Sequence, residues 1–316
     1  MKTISLKPTT SMNTISFRSV LAVLGQWFGA LIAFVLSMIV ANIASPLPQS
    51  IIEKAPAAGF MSQGGAMLFS GAVNAAILVW AARRSSFRGF ALAGGLFVFS
   101  FLAQTFQTQI ETGYFISAFP LLHGNFEVYR LILRGAITSA LFALLVTWIV
   151  RGFSRKPREA AQFTIHADQF LKAGAWLAAV YLVLYMLFGY YVAWQSQELR
   201  VFYGGPAELN SAVDQWSVTL MGKPELPIFQ YFRGFIWILC LIPIFKSFTA
   251  GRVELIALSA FALALLPTAQ LASPNPLMPA GVSLFHFWEV SISTGIFGAM
   301  CAWFVPSFLG AEKRGK

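Results

Sequence analysis

The chain has 316 residues, of which 57% are hydrophobic and only 11% charged, with a formal net charge of +10 and a mean hydropathy of +0.69. A soluble domain carries roughly 45–50% apolar and about 25% charged residues, so this composition cannot cover a water-facing surface. It excludes a cytosolic enzyme, a nucleic-acid-binding protein and a disordered chain, and leaves an all-α polytopic membrane protein.

A helix crossing the ~30 Å hydrocarbon layer needs about 20 mostly apolar residues. After a polar tail (1–19), eight such runs follow: about 20–44, 66–82, 89–110, 128–150, 173–195, 228–245, 254–271 and 285–309. Stretches such as ALFALLVTWIV are apolar on every face, where a β-barrel would show alternating segments of about ten residues. The first run exceeds the core of a cleaved signal peptide, which holds about 7–15 residues. Asn42 also stands where a small residue should precede a cleavage site at Ala44. The expectation is an uncleaved first helix. Helices one to four then occupy 20–150 and a basic loop 151–172. Helices five to eight occupy 173–309, with a long outer loop at 196–227, before a tail at 310–316.

Charge tests this order. With both termini cytoplasmic, sixteen of the 22 basic residues fall on inner segments, against four of the twelve acids. The inner side is then +12 and the outer side −2. Lys and Arg bias in short loops sets orientation, and here every inner segment is basic. The high pI is an insertion signal and not a nucleic-acid footprint. The loop 151–172 can also rest against anionic lipid, being basic and partly amphipathic. Short loops point to a bacterial plasma (inner) membrane.

Four helices return a chain to its starting side, so the halves can be two parallel four-helix repeats. FEVYRLILRG around Glu127 aligns with WEVSISTGIFG around Glu289 at a shift of 162 residues, which also sets Arg84 on Lys246. A shift of 163 sets Gly71 on Gly234, Gln107 on Gln270 and Gly135 on Gly298. Such repeats are common in transporters, where the site lies between them.

Charged groups inside a span cost ~2.5 kcal/mol or more and persist where they face protein or a wet cavity. Here they gather in the outer third. Helices three and five end in Gln104, Gln107, Gln109 and Glu111, and in Gln195 and Glu198. Helices four, six and eight begin with Glu127, Arg130 and Arg134, with Gln230 and Arg233, and with His286 and Glu289; Gln270 closes helix seven. Glu127, Arg130 and Arg134 share one helix face and can pair along it. Two interpretations stand: a structural ion-pair network stapling the helices, or arginines that grip an anionic group of substrate or lipid bidentately.

His123 with Glu127, and His286 with Glu289, sit at spacings that let both side chains of each pair reach one divalent metal. No other cofactor is expected. Cys240 and Cys301 lie in apolar runs and read as buried small residues. No nucleotide-binding or hydrolase motif occurs. Three functions follow. The first is a carrier-like protein that binds a small or lipid-like anionic molecule in a polar vestibule open to the outer side, more a binder than an enzyme. The second is a membrane-embedded, metal-dependent enzyme at the outer leaflet. The third is a non-catalytic sensor or assembly component. The partner common to all is the lipid bilayer.

Overall fold

The computed structural model describes residues 17–54, 59–122, 124–153, 164–165 and 167–310. Each of the eight apolar runs forms a helix. They are α1 (Phe17–Ala44), α2 (Gln63–Arg84), α3 (Gly89–Tyr114) and α4 (Asn125–Arg151), then α5 (Ala167–Tyr191), α6 (Leu226–Ser247), α7 (Arg252–Leu265) and α8 (Ala280–Phe308). The ends of runs five and seven finish instead as 3-10 turns, Ala193–Gln195 and Ala269–Ala272. Among the described residues the only strands are two of two residues each, Thr164–Ile165 paired antiparallel with Leu309–Gly310.

Seven of these helices, α1 to α7, are long and apolar enough to cross a membrane. The eighth has the length, at 29 residues, but Glu289, Ser291, Ser293 and Thr294 dilute its apolar content. The chain is a multi-pass integral membrane protein whose surface meets lipid. Large apolar side chains accordingly point outward, among them Phe28, Ile43, Phe90, Trp148, Val253 and Trp303. In water such a surface would aggregate; in hydrocarbon it is the expected exterior.

Close packing of small residues sets the interior. In the first half α1 packs on α2 and α4, and α3 packs on α4. In the second half α5 packs on α6 and α8, and α7 packs on α8. The halves meet where α3 lies against α6 and α2 against α7. Trp237, Phe99, Phe142 and Phe297 are the largest fully buried side chains of the resulting core.

The two ends of the bundle differ. At the basic end, the α2–α3 and α6–α7 turns join in a short antiparallel bridge between Ser85 and Phe248. Its hydrogen bonds run from Ser86 N to Ser247 O (2.6 Å) and from Thr249 N to Arg84 O (2.8 Å). Glu254 accepts from Arg84 Nε (2.5 Å) and from Trp80 Nε1 (2.8 Å) beside it. The opposite end carries the long 196–227 segment and the cavities described below, and is here called the cavity end.

One feature of α3 departs from its sequence pattern. Residues Phe101–Phe106 form a π-helical turn inside the helix. It falls where Gly135 of α4 lies so close to Thr105 that a Cβ on the glycine would collide with it. The extra residue in the turn re-aims Gln104 and everything after it, and π turns of this sort frequently mark functional sites.

Candidate functional site

The polar residues of α3 and α6 meet in a fully connected cluster at the cavity end. Arg233 is 3% exposed, and all five of its N–H groups have acceptors. Nε donates to Gln107 Oε1 (3.2 Å), Nη1 to Glu111 Oε1 (2.5 Å) and Gln230 Oε1 (2.9 Å). Nη2 donates to Glu111 Oε2 (2.9 Å) and the Gln107 carbonyl (3.3 Å). Gln107 Nε2 returns a bond to the Arg233 carbonyl at 2.8 Å. A buried guanidinium is tolerable only when every donor is met, and a bidentate carboxylate does most of that here. This clamp ties the two halves together and leaves Arg233 no donor for a guest.

Beside it stands a second chain of polar groups. Tyr203, just after the short helix Gln197–Phe202, lies 2.9 Å from His286 Nε2. Burial, aided by the carboxylates of Glu111 and Glu289, pushes the Tyr203 phenol well above its usual value. The phenol therefore stays protonated and donates to Nε2, which leaves the ring proton on Nδ1. Nδ1 faces Glu289 Oε2 at 3.5 Å, a long contact. Glu289 is itself 5% exposed. The acid is thus buried with one distant partner, unlike Glu111.

Two cavities flank this wall. The larger, about 310 Å³, lies between α5, α8 and the 196–227 segment, and Tyr185, Trp194, Trp216 and Lys223 line it. The smaller, about 260 Å³, lies between α3, α6 and residues 273–278, and includes Gln109, Gln270 and Arg233. Glu111, Phe115, Tyr203 and His286 border both, whereas Glu289 borders only the larger.

The roof of the larger cavity is built, not draped. Arg200 is buried and clasps three carbonyls, those of Trp194 (2.5 Å), Pro206 (3.1 Å) and Ala207 (2.5 Å). Gly204 takes φ +74° to close the turn, a conformation that disfavours other residues. Tyr190 donates to the Asn210 carbonyl (2.7 Å) and Trp216 to the Met186 carbonyl (3.2 Å), docking the helix Ala212–Gly222 on α5. That helix is capped by Ser211, which accepts from Asp214 N at 3.2 Å.

Among the expected site residues, Gln107, Glu111 and Arg233 come together, and Glu289 with His286 stands next to them across the cavity wall. Gln270 joins through its Nε2, which donates to the Gln104 carbonyl at 3.2 Å. The trio on α4 does not join: Glu127, Arg130 and Arg134 line neither cavity. No ion pair links them among the described residues. Glu127 Oε2 is buried without a hydrogen-bond partner, the Arg130 guanidinium lies 4.6 Å over the Phe126 ring, and Arg134 is half-buried. His123 lies outside the described residues, so the pairing of the two histidines does too. Among the described residues no three His, Cys, Asp or Glu side chains gather as a metal site would require.

The sequence missed Tyr185 and Tyr203 as site residues and assigned Trp194, Trp216 and Tyr203 to the membrane boundary as anchors. Boundary aromatics and cavity aromatics have the same composition and depth; only the fold of the 196–227 segment separates them. Comparison with protein-family models, with curated proteins and with solved structures finds no match to this chain.

Proposed function

We propose that this membrane protein is a carrier-like binder that holds a small amphipathic molecule in the larger cavity, within eight spans arranged as two parallel repeats. The basic end faces the cytoplasm with both termini, in a bacterial plasma membrane. The observation that carries the binding function is the roofed cavity of about 310 Å³ with aromatic walls and a buried Glu289–His286–Tyr203 chain on one side. Apolar pockets with a few convergent polar groups are the usual form of small-molecule sites. The anionic guest expected from the sequence gives way here, because Arg233 has no donor to spare and Arg130 and Arg134 lie outside the cavity. An outer-leaflet enzyme gains no specific support from the geometry.

Contacts that repeat at the 163-residue shift support the duplication. Ser86 N to Ser247 O becomes Thr249 N to Arg84 O when each residue is replaced by its counterpart, so the bridge maps onto itself under a two-fold rotation. Gly71 packs on Leu31 of α1, and its counterpart Gly234 on Ala178 of α5. Gly135 packs on Thr105 of α3, and its counterpart Gly298 on Ser259 of α7. The α3–α6 and α2–α7 contacts exchange in the same way. Such an axis lies along the membrane normal in parallel repeats.

Two experiments test this. Cysteines at Ser217, in the roof helix, and at Lys246, at the basic end, are both exposed, whereas Cys240 and Cys301 are buried. An impermeant thiol reagent should label the first on intact cells and the second only after permeabilisation. The opposite pattern reverses the orientation. For binding, Gly189 borders the larger cavity and a Cβ there meets nothing within 4 Å, so Gly189→Trp should fill it without unfolding the helix. Extraction and mass spectrometry of molecules carried by wild type should reveal one that the folded variant lacks. Identical extracts would remove the binding proposal.

A further inference from the structure

The fixed charges around the larger cavity do not balance, and the imbalance identifies the guest. Arg233 and Glu111 neutralise one another through two bonds and offer nothing further. Lys223 is drawn to the rim, where its ammonium lies 4.8 Å over the Phe115 ring. What remains on the wall is Glu289, a buried carboxylate whose one described polar partner is His286 Nδ1 at 3.5 Å. Around it stand the faces of Tyr185, Tyr190, Trp194 and Trp216. Rings present negative faces, and a cation within about 6 Å of several of them gains energy that an anion would lose. The Lys223–Phe115 contact is an internal instance of the same preference.

The roof also indicates the route. The helix Ala212–Gly222 is inside-out by the standard of a soluble protein. Its polar Gln215 is buried and Thr219 borders the cavity, while Val213 (68%), Val218 (59%) and Met221 (84%) are exposed. Ile228 and Phe232, at the start of α6, continue that apolar exterior. A short helix with an apolar outer face and charged neighbours lies in the membrane interface. A guest passing beneath it comes from lipid and not from bulk water.

We infer that the cavity binds a lipid-soluble amine, its protonated nitrogen against Glu289 and its apolar body among the tyrosine and tryptophan faces. The inference rests on the binding function proposed above and adds the chemical class. A matched series separates the two: 4-phenylbutylamine, 4-phenylbutanol and 4-phenylbutyrate differ in charge and little in size. Each is titrated by calorimetry into the full chain in phosphatidylcholine nanodiscs, with empty discs subtracted. The amine should bind at least tenfold more tightly than the alcohol, and the carboxylate more weakly than either. Glu289→Gln should abolish the advantage of the amine while leaving alcohol binding in place, which also reports that the variant is folded. Equal affinity for all three, or preference for the carboxylate, overturns the amine and leaves the cavity. No binding of any member beyond empty discs overturns both.

Discussion

The two halves of this molecule share a helix order and a set of packing glycines, yet they treat their cavity-end charges in opposite ways. The second half buries Arg233 in a cluster where every donor has an acceptor, and sets Glu289 beneath a stapled roof. The first half places the counterpart acid, Glu127, at the start of α4 with one carboxylate oxygen unmet, and leaves Arg130 and Arg134 on a helix that lines neither cavity. The insertion between α5 and α6 accounts for the contrast. It supplies Tyr203, Trp194 and Trp216 to the second half, and the described residues between α1 and α2 (Ser45–Lys54 and Gly59–Ser62) supply only the short turn Gln49–Ile52. A duplicated scaffold thus acquires a site by lengthening one loop, because a roof converts a polar rim into an enclosed volume.

The largest expected effect tests the clamp. Arg233→Ala strands Glu111 and Gln107 in a buried setting and should cost about 3–5 kcal/mol, since breaking a buried pair leaves an uncompensated charge. Arg134→Ala, with no described polar partner for its guanidinium, should stay within about 0.5 kcal/mol. Thermal unfolding of both variants in one detergent checks the pair, and equal losses would erase the contrast between the halves.

Matched glycines sharpen it next. A Cβ at Gly234 would stand 2.8 Å from Ala178 Cα, a backbone atom that cannot step aside, whereas at Gly71 it would stand 3.5 Å from Leu31 Cγ. Gly234→Ala should therefore cost about 1–3 kcal/mol through overpacking. Gly71→Ala should be neutral or gain up to about 1 kcal/mol from helix propensity. The same unfolding measurement decides, and a loss at Gly71 equal to that at Gly234 would mean the first half is as tightly packed as the second.

The smallest effect concerns the roof. Tyr203→Phe removes the donor to His286 Nε2 while keeping the ring, and should cost about 1 kcal/mol. If stability is unchanged, the phenol–imidazole bond contributes nothing and the Tyr203–His286–Glu289 chain loses its first link.

Much of the scaffold was legible because membrane solvation leaves few choices. Eight apolar runs became eight helices, since a backbone in hydrocarbon must satisfy itself internally. The clamp was partly legible as well: charges cannot lie free in a span, so Glu111, Gln107 and Arg233 at one depth had to find partners. Which partners was not legible. The π turn at Phe101–Phe106 shifts the helical phase of Gln104, Gln107 and Glu111 relative to α4 and α6, and no periodicity argument anticipates an extra residue in a turn. Arg130 and Arg134 share the composition and spacing of a site, and only their position on the far side of the bundle separates them from it. Tyr203 reaches His286 across 83 residues, through a loop whose course depends on Arg200 clasping three carbonyls.

The Ser85–Phe248 bridge has a mechanical consequence. Two backbone hydrogen bonds fasten the halves at the basic end alone, so one half tilting against the other swings like a pair of tongs about that joint. Over a helix spanning about 30 Å, a tilt of roughly 10° opens the far jaws by about 5 Å. Pulsed spin–spin distances should change between labels at the far end and stay constant between labels beside the joint. Equal changes at both ends would mean that the tongs have no pivot there.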